Sequence, residues 1–131
     1  MQIGKIARAT GTKVNTVRYY EEIGLLKPAP RSQSGRRIYA DADVERLAFI
    51  RRARGLGFSV SEVRSLLEVS DAPNRDCKDA ANLARNHLRR VEEQIEQLQA
   101  MRQELNGLAR ACDGGTATDC GIIGGLARKS A

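Results

Sequence analysis

The sequence predicts a mainly α protein with three parts: a winged helix-turn-helix head, a long helix that pairs antiparallel with a second copy, and a C-terminal loop that carries cysteines. Three observations support this prediction. Two short helical segments are joined by a glycine turn near the start, a long stretch without proline follows, and three cysteines lie on both sides of that stretch. The parts correspond to residues 1–72, 73–111 and 112–131.

Composition agrees with a small head joined to an extended helix. The 131 residues are 29% charged and only 4% aromatic, which is too few large apolar side chains for one deep core. The net charge is +6, and residues 1–72 carry 13 basic against 8 acidic side chains. A basic part joined to a nearly neutral part suits a nucleic-acid-binding head on an interaction stalk. Neither a secretion signal nor a membrane-spanning run is apparent, so we expect a cytoplasmic protein with reduced thiols and no membrane partner.

The first two helices are predicted over residues 3–9 and 13–23. Gly11 lies in the turn between them, and Thr12 is the predicted N-cap of the second helix. Gly24 ends that helix. A helix, a glycine-containing turn and a second helix over this distance form the helix-turn-helix signature.

A wing and two more helices complete the predicted head. Two prolines within residues 27–30 exclude a helix there, and the turn at 32–35 is flanked by arginines, which predicts a two-stranded wing. A third helix follows over residues 41–54. Ser59 and Glu62 form a capping box for a fourth helix to about residue 69. The predicted inward side chains of the third helix are Val44, Leu47, Ala48 and Ile50.

The long helix is predicted to start at Asp76, which can cap it, and its strongly helical stretch runs over residues 79–111. At 1.5 Å per residue it would be roughly 50 Å long. Apolar side chains recur along it at steps of mainly four and three: Ala84, Leu88, Val91, Ile95, Leu98, Leu105 and Leu108. Such a heptad seam needs a partner, and a second copy of the chain is the partner that we expect.

The cysteines point to a metal site at a dimer interface. Cys77 falls in the first turn of the predicted long helix, whereas Cys112 and Cys120 follow that helix around a glycine-rich loop. One chain cannot bring Cys77 to the other two unless the helix breaks, but two antiparallel chains can. Thiolates that converge in this way suit a soft metal ion. The one histidine, His87, is predicted to be a surface or interface residue, not a ligand.

Several segments together resemble the MerR family of transcription regulators. They are Ile3-Gly4-Lys5-Ile6-Ala7, Val14-Asn15-Thr16-Val17-Arg18-Tyr19-Tyr20-Glu21, the pattern Arg31-x-x-x-Gly35-x-Arg37-x-Tyr39, Arg54-Gly55-Leu56-Gly57-Phe58, and the terminal cysteine loop. The resemblance implies a homodimer with an antiparallel coiled coil that sits on promoters whose two recognition elements are too far apart. It further implies that the effector-bound dimer distorts the DNA so that RNA polymerase engages both elements.

The second helix and the wing supply the predicted contacts with double-stranded promoter DNA. The N-terminal residues of the second helix would enter the major groove. Arginines and hydroxyls at the other positions suit phosphate contacts. The predicted set is Asn15, Thr16, Arg18, Tyr19, Tyr20, Arg31, Arg36, Arg37 and Tyr39.

The resemblance also bears on the identity of the metal. In relatives the loop supplies two thiolates, and a third ligand, where there is one, comes from the partner subunit at the position of Cys77. The copper(I) branch of the family typically lacks a cysteine there, so the third thiolate favours mercury, lead, cadmium or zinc. Copper(I), silver or gold remains the alternative. A thiol redox sensor and a cytoplasmic metal-buffering protein also stay open, although the latter leaves the basic head unexplained. No nucleophile and base are arranged as in an enzyme.

Overall fold

The structure is a computed structural model of the chain, and it describes residues 1–111 and 114–128. Its helices are α1 (Ile3–Thr10), α2 (Val14–Glu22), α3 (Asp41–Gly55), α4 (Val60–Ser70), α5 (Lys78–Arg110) and α6 (Gly121–Arg128), with a short 3-10 turn at Ala117–Asp119. The mainly α prediction is confirmed. The chain forms two compact units, one over Met1–His87 and one from Leu88 onward. We call the first unit the head; it extends past the predicted boundary at residue 72.

The head is built around one apolar core that α1–α4 share. Its largest fully buried side chains come from every part of the head: Ile6, Val17, Leu25, Leu26, Tyr39, Leu47, Ile50 and Val63. Fully burying one such aliphatic side chain stabilises a fold by about 1.5–3 kcal/mol. The head therefore completes a core from its own chain, in agreement with the apolar spacing of the sequence.

The turn between α1 and α2 depends on Gly11. This residue has φ 67°, in the left-handed region, and its N–H donates to the carbonyl oxygens at the end of α1. Such a backbone conformation ends a helix at low cost only in glycine. The prediction that Thr12 caps α2 was wrong by one residue. Lys13 is the N-cap and makes no side-chain capping bond, while the Thr12 hydroxyl accepts a hydrogen bond from Thr10 at 3.0 Å.

The wing is smaller than the predicted two-stranded ribbon. Its two sides meet in a single antiparallel bridge between Arg31 and Arg37, and the described residues contain no longer ladder. Gly35 at the tip has φ 83°, and its carbonyl accepts a hydrogen bond of 2.8 Å from the Arg31 guanidinium. A side-chain hydrogen bond thus joins one side of the wing to its tip.

In α3 the buried stripe runs through Leu47, Ile50 and Ala53, at steps of three. The expectation that Ala48 is buried was wrong, because Ala48 lies beside that stripe and is exposed. The capping box of α4 is confirmed: the Ser59 hydroxyl accepts from the Glu62 N–H, and the Glu62 carboxylate accepts from the Ser59 N–H.

The start of α5 packs on the turn between α3 and α4. The His87 imidazole lies 2.7 Å from the Leu56 carbonyl oxygen, and its ring centre is 4.8 Å from that of Phe58. Gly57 has φ 95°, and a Cβ there would lie 2.8 Å from His87 Nε2. His87 is therefore a packing residue of the head, a role that its isolated position in the sequence did not indicate.

Beyond His87, α5 continues to Arg110 with no buried residue; we call its residues 88–110 the stalk. The seam side chains Leu88, Ile95, Leu98 and Leu105 are exposed in the single chain. α5 begins at Lys78 and not at Asp76 as predicted, so Cys77 lies just before the helix and not in its first turn. The Asp76 carboxylate still accepts a hydrogen bond of 3.0 Å from the Lys78 N–H, as a capping side chain does. Among the described residues, no helix has both the length and the apolar character that a membrane span requires.

The second unit contains a helix where the sequence predicted only a tail. In α6, a Cβ on Gly125 would lie 2.7 Å from a methyl group of Leu108, and one on Gly121 would lie 2.5 Å from the Ala111 Cβ. α6 therefore packs closely on the end of the stalk at positions where only glycine fits. These glycines lower intrinsic helix propensity, which explains why the sequence did not reveal the helix.

Candidate nucleic-acid interface and metal centre

α2 presents two different faces. Val17 and Tyr20 are buried in the head, whereas Asn15 and Arg18 are exposed and Thr16 is half-buried. The separation follows from the helical period, which puts positions three apart on the same side. The exposed face therefore carries an amide, a hydroxyl and a guanidinium, the groups that suit base edges and phosphates.

The two adjacent tyrosines divide between these faces. Tyr19 is 47% exposed, whereas Tyr20 belongs to the core, with the two ring centres 5.9 Å apart. Tyr19 can present its hydroxyl to a ligand without rearrangement. Tyr20 contributes chiefly to packing, and a direct contact between Tyr20 and DNA stays a prediction.

The wing lies beside α2 and forms a cleft with it. The cleft has a volume of about 640 Å³, and four arginines line it: Arg18 from α2, and Arg31, Arg36 and Arg37 from the wing. The structure thus brings together the cationic residues that the sequence singled out separately. Arg31 and Arg36 are exposed, and the Arg36 guanidinium lies 3.4 Å from the Gln2 amide oxygen.

Tyr39 differs from the other predicted contacts because it is only 2% exposed. Its hydroxyl donates a hydrogen bond to the Glu21 carboxylate. Burial, and then this bond to Glu21, raises the pKa of Tyr39 well above 10.0. The hydroxyl that was expected to reach a phosphate is engaged inside the head, so a DNA contact by Tyr39 also stays a prediction.

Glu21 is a residue whose role the sequence did not predict. Its second carboxylate oxygen lies 3.4 Å from Nε of Arg37, and the Arg37 guanidinium also donates to the Ala29 carbonyl at 2.9 Å. The carboxylate side chain is 8% exposed. The sequence did contain one signal for this role: Glu21 is an acidic residue that directly follows Arg18-Tyr19-Tyr20 in a basic segment, where a carboxylate can pair with a nearby arginine.

The cysteines lie at both ends of α5. Cys77 is exposed and directly precedes the first residue of α5, and Cys120 is half-buried between the 3-10 turn and α6. Gly114 and Gly115, with φ 96° and 100°, let the backbone turn sharply in the intervening loop. Cys112 lies outside the described residues. Soft thiol donors fit a soft metal ion.

No cluster of three or more histidine, cysteine or acidic side chains that could hold a metal ion occurs within residues 1–111 and 114–128. The convergence of Cys77, Cys112 and Cys120 therefore stays a prediction.

Comparisons with known proteins identify the class of protein. Residues 1–69 match the family model described as MerR HTH family regulatory protein, and residues 44–108 match the model described as MerR, DNA binding. The chain therefore belongs to the MerR family of helix-turn-helix transcription regulators, which are DNA-binding proteins and not enzymes.

Individual relatives share nearly the full length of the chain. It is 41% identical over 126 residues to a probable heavy metal-dependent transcriptional regulator of Haemophilus influenzae, covering 96% of this chain and 98% of that protein. It is 36% identical to the transcriptional regulator CueR of Escherichia coli O6:H1, covering 96% and 93%. Its structure is similar to that of the transcription regulator PbrR691 of Ralstonia metallidurans CH34 in complex with lead(II), with a TM-score of 0.81 and 36% identity, over 96% and 98% of the two chains.

Proposed function

We propose that the chain is a dimeric, metal-sensing activator of transcription. In this proposal the head binds promoter DNA, the stalk pairs antiparallel with a second copy, and a soft metal ion binds between the subunits. The ion is divalent, namely mercury, lead, cadmium or zinc. Its binding distorts an overlong promoter spacer so that RNA polymerase engages both recognition elements.

One observation supports the proposal that the chain forms a dimer: the stalk leaves its seam of leucine and isoleucine side chains uncovered in the single chain. Four large apolar side chains in one stripe along a helix are typical of a coiled-coil interface. α5 is also continuous over 33 residues, about 50 Å at the usual helical rise. Cys77 precedes its first residue and Cys120 follows its last, so antiparallel pairing supplies the arrangement in which thiols from two chains meet.

The metal site would consist of Cys77 from one subunit with Cys112 and Cys120 of the partner subunit. Three thiolates suit a large soft divalent ion. The relatives named for heavy-metal dependence and for a lead(II) complex support this assignment. The role of this chain's residues is to supply the sulfur donors.

The DNA interface would consist of the exposed face of α2 and the arginines of the cleft. Asn15, Thr16 and Arg18 would reach the major groove, with Tyr19 beside them. Arg31, Arg36 and Arg37 would contact phosphates and make the affinity strongly dependent on salt. Tyr20 and Tyr39 would support these residues from inside the head.

The metal is identified by a transcription assay with the full chain, a promoter with an overlong spacer, and RNA polymerase. We expect lead, cadmium, mercury or zinc to raise transcription, and Cys77→Ser to weaken that response most strongly. Ser70→Ala, on the exposed end of α4, is the control and should respond as the wild type does. A full divalent response in Cys77→Ser would contradict the three-thiolate site.

Copper(I) is the second candidate, because two thiolates of the loop would suffice for a linear site. It predicts a response to copper and silver that Cys77→Ser leaves intact.

A promoter with a shortened spacer tests whether the protein acts by distorting the DNA. Transcription from a spacer of ordinary length should no longer rise with metal, whereas an unchanged metal response would contradict the distortion mechanism. A metal-buffering protein would bind metal without binding the promoter.

A further inference from the structure

The Glu21 carboxylate is placed unusually for an acidic group in a basic cleft. It lies in the last turn of α2, is almost completely buried, and uses both oxygens within the head. One oxygen accepts from the Tyr39 hydroxyl, and the other lies 3.4 Å from Nε of Arg37. The Glu21 side chain is 8% exposed and that of Arg37 is 32% exposed. Removing a partner therefore leaves the nearly buried carboxylate with less compensation for its charge.

Both partners of Glu21 belong to the returning side of the wing. Arg37 forms the bridge with Arg31 that closes the wing, and Tyr39 ends it. The Arg37 guanidinium also donates to the Ala29 carbonyl, which lies in the segment that leads from α2 into the wing. Glu21 therefore joins the helix that carries Arg18 directly to the element that carries the other three cleft arginines.

We propose that Glu21 is a positioning residue for DNA binding, which fixes the wing relative to α2 so that both elements meet one duplex together. This inference rests on the proposed DNA interface. Separate contacts contribute fully only if their geometry is set before binding, because ordering a loose element on the DNA costs conformational entropy. Glu21 would therefore act through the wing arginines and would touch no part of the DNA.

Removing the negative charge of Glu21 should change the affinity for DNA in opposite directions, depending on whether the charge or the positioning of the wing matters more. A carboxylate in a phosphate-binding cleft repels DNA, so neutralising it should strengthen binding if charge alone matters. Positioning predicts the opposite result for Glu21. The neighbouring Glu22 lines the same cleft but is exposed, and none of the hydrogen bonds or ion pairs described above involves its carboxylate. It is therefore a matched control in which the charge effect should dominate.

The experiment compares full-length wild type, Glu21→Gln and Glu22→Gln on a duplex that the wild-type protein has selected from random sequence. Dissociation constants are measured over a range of salt concentrations. We expect Glu22→Gln to bind as tightly as wild type or up to about threefold more tightly. We expect Glu21→Gln to bind about tenfold more weakly, with the slope of log K against log salt reduced by about 1–2 because one or two phosphate contacts are lost.

Tyr39→Phe provides a second variant that keeps the carboxylate and removes only the hydroxyl donor. We expect a smaller loss of affinity with a reduction of the salt slope in the same direction. Thermal unfolding of each variant is measured in parallel, and binding is compared far below the unfolding temperature. A loss of stability alone would not change the number of phosphates contacted by the folded protein, so the slope separates positioning from a purely structural role.

Two results would overturn the inference: Glu21→Gln binding as Glu22→Gln does, or an unchanged salt slope in both Glu21→Gln and Tyr39→Phe. If Glu21→Gln fails to fold, a wild-type slope and affinity in Tyr39→Phe would by itself overturn the inference. If the wild type selects no duplex at all, the proposed function is contradicted, and the role of Glu21 with it. If the wild type selects a duplex but the variants give one of the two results above, only the role of Glu21 is contradicted.

Discussion

In the head, Ile6, Leu47 and Val63 are buried completely within one chain, whereas along the stalk Leu88, Leu98 and Leu105 are each more than half exposed. The two regions have similar kinds of apolar side chain but different arrangements. Several short helices at different angles can enclose a core, but a single long helix cannot cover its own apolar stripe. The head is thus complete as a folded unit, and the stalk is complete only with a partner.

The largest effect should follow from a charge in the seam. Leu98→Asp places a carboxylate where the partner helix would pack, and burying it unpaired is costly. We expect the dissociation constant of the dimer to rise at least about 100-fold, which is about 2.7 kcal/mol. Sedimentation equilibrium measures this constant.

Gln97→Asp on the same turn is the matched control, because residue 97 lies outside the seam and is exposed. It should leave the dimer essentially intact. If Leu98→Asp and Gln97→Asp have the same effect, the exposed stripe does not form the interface. Neither substitution should alter the unfolding of the head.

An effect of similar size should arise in the core of the head. Leu47 is fully buried in α3, and Leu47→Ala should lower the free energy of unfolding by about 2–5 kcal/mol because it leaves a cavity. Phe49, on the same helix, is partly exposed. Phe49→Ala should therefore cost clearly less, as measured by urea unfolding at constant protein concentration. A larger loss in Phe49→Ala would contradict the assigned core.

A smaller effect is expected where α5 joins the head. Gly57→Ala forces a side chain into a backbone with φ 95° and against His87, so we expect a loss of about 1–3 kcal/mol. Gly55 ends α3, and apart from its chain neighbours and the adjacent backbone of α3, no atom lies within 4 Å of the place that a Cβ would take there. Gly55→Ala should be neutral or slightly stabilising. Equal losses in both variants would show that the contact with His87 is unimportant.

The smallest effect concerns alkaline pH. The pKa of Tyr39 is raised above its ordinary value of 10.0 in the folded head. The protonated phenol therefore contributes stability that is fully present below pH 10 and is lost as the pH rises further. Above pH 10 the wild type should lose stability more steeply than Tyr39→Phe in urea titrations. Parallel curves for the two proteins would contradict the raised pKa of Tyr39, which burial and then the bond to Glu21 produce.

The sequence predicted the head largely because its signals are local. Glycine at the α1–α2 turn, prolines after α2 and the Ser59–Glu62 capping box each act within a few residues. The extent of the wing was overestimated because strand length depends on pairing across the turn. The predicted burial of Ala48 was wrong because Ala48 follows the buried Leu47 directly, and a shift of one residue along α3 is enough to move a side chain from the buried stripe to the exposed one beside it.

The features that escaped prediction depend on distant residues. Glu21 and Tyr39 are 18 positions apart, and His87 and Leu56 are 31 apart. Glycine disfavours a helix locally, but in α6 it allows close packing on Leu108, where a Cβ would not fit. This contact is between residues far apart in the sequence, so no local pattern indicated the helix. Three cysteines were recognisable as soft-metal donors from their chemistry, and their convergence between two chains, which their spacing predicts, stays a prediction.

The most direct test of that pairing is the metal content of a mixed dimer, purified with one Cys77→Ser subunit and one Cys112→Ser subunit. If thiols are shared between antiparallel subunits, one site loses both residues and the other keeps all three. We predict one tightly bound lead(II) or cadmium ion per mixed dimer, with the sulfur-to-metal absorption of three thiolates. If each subunit instead builds its own site, both sites lack a sulfur, and a mixed dimer without tightly bound metal would contradict the shared centre.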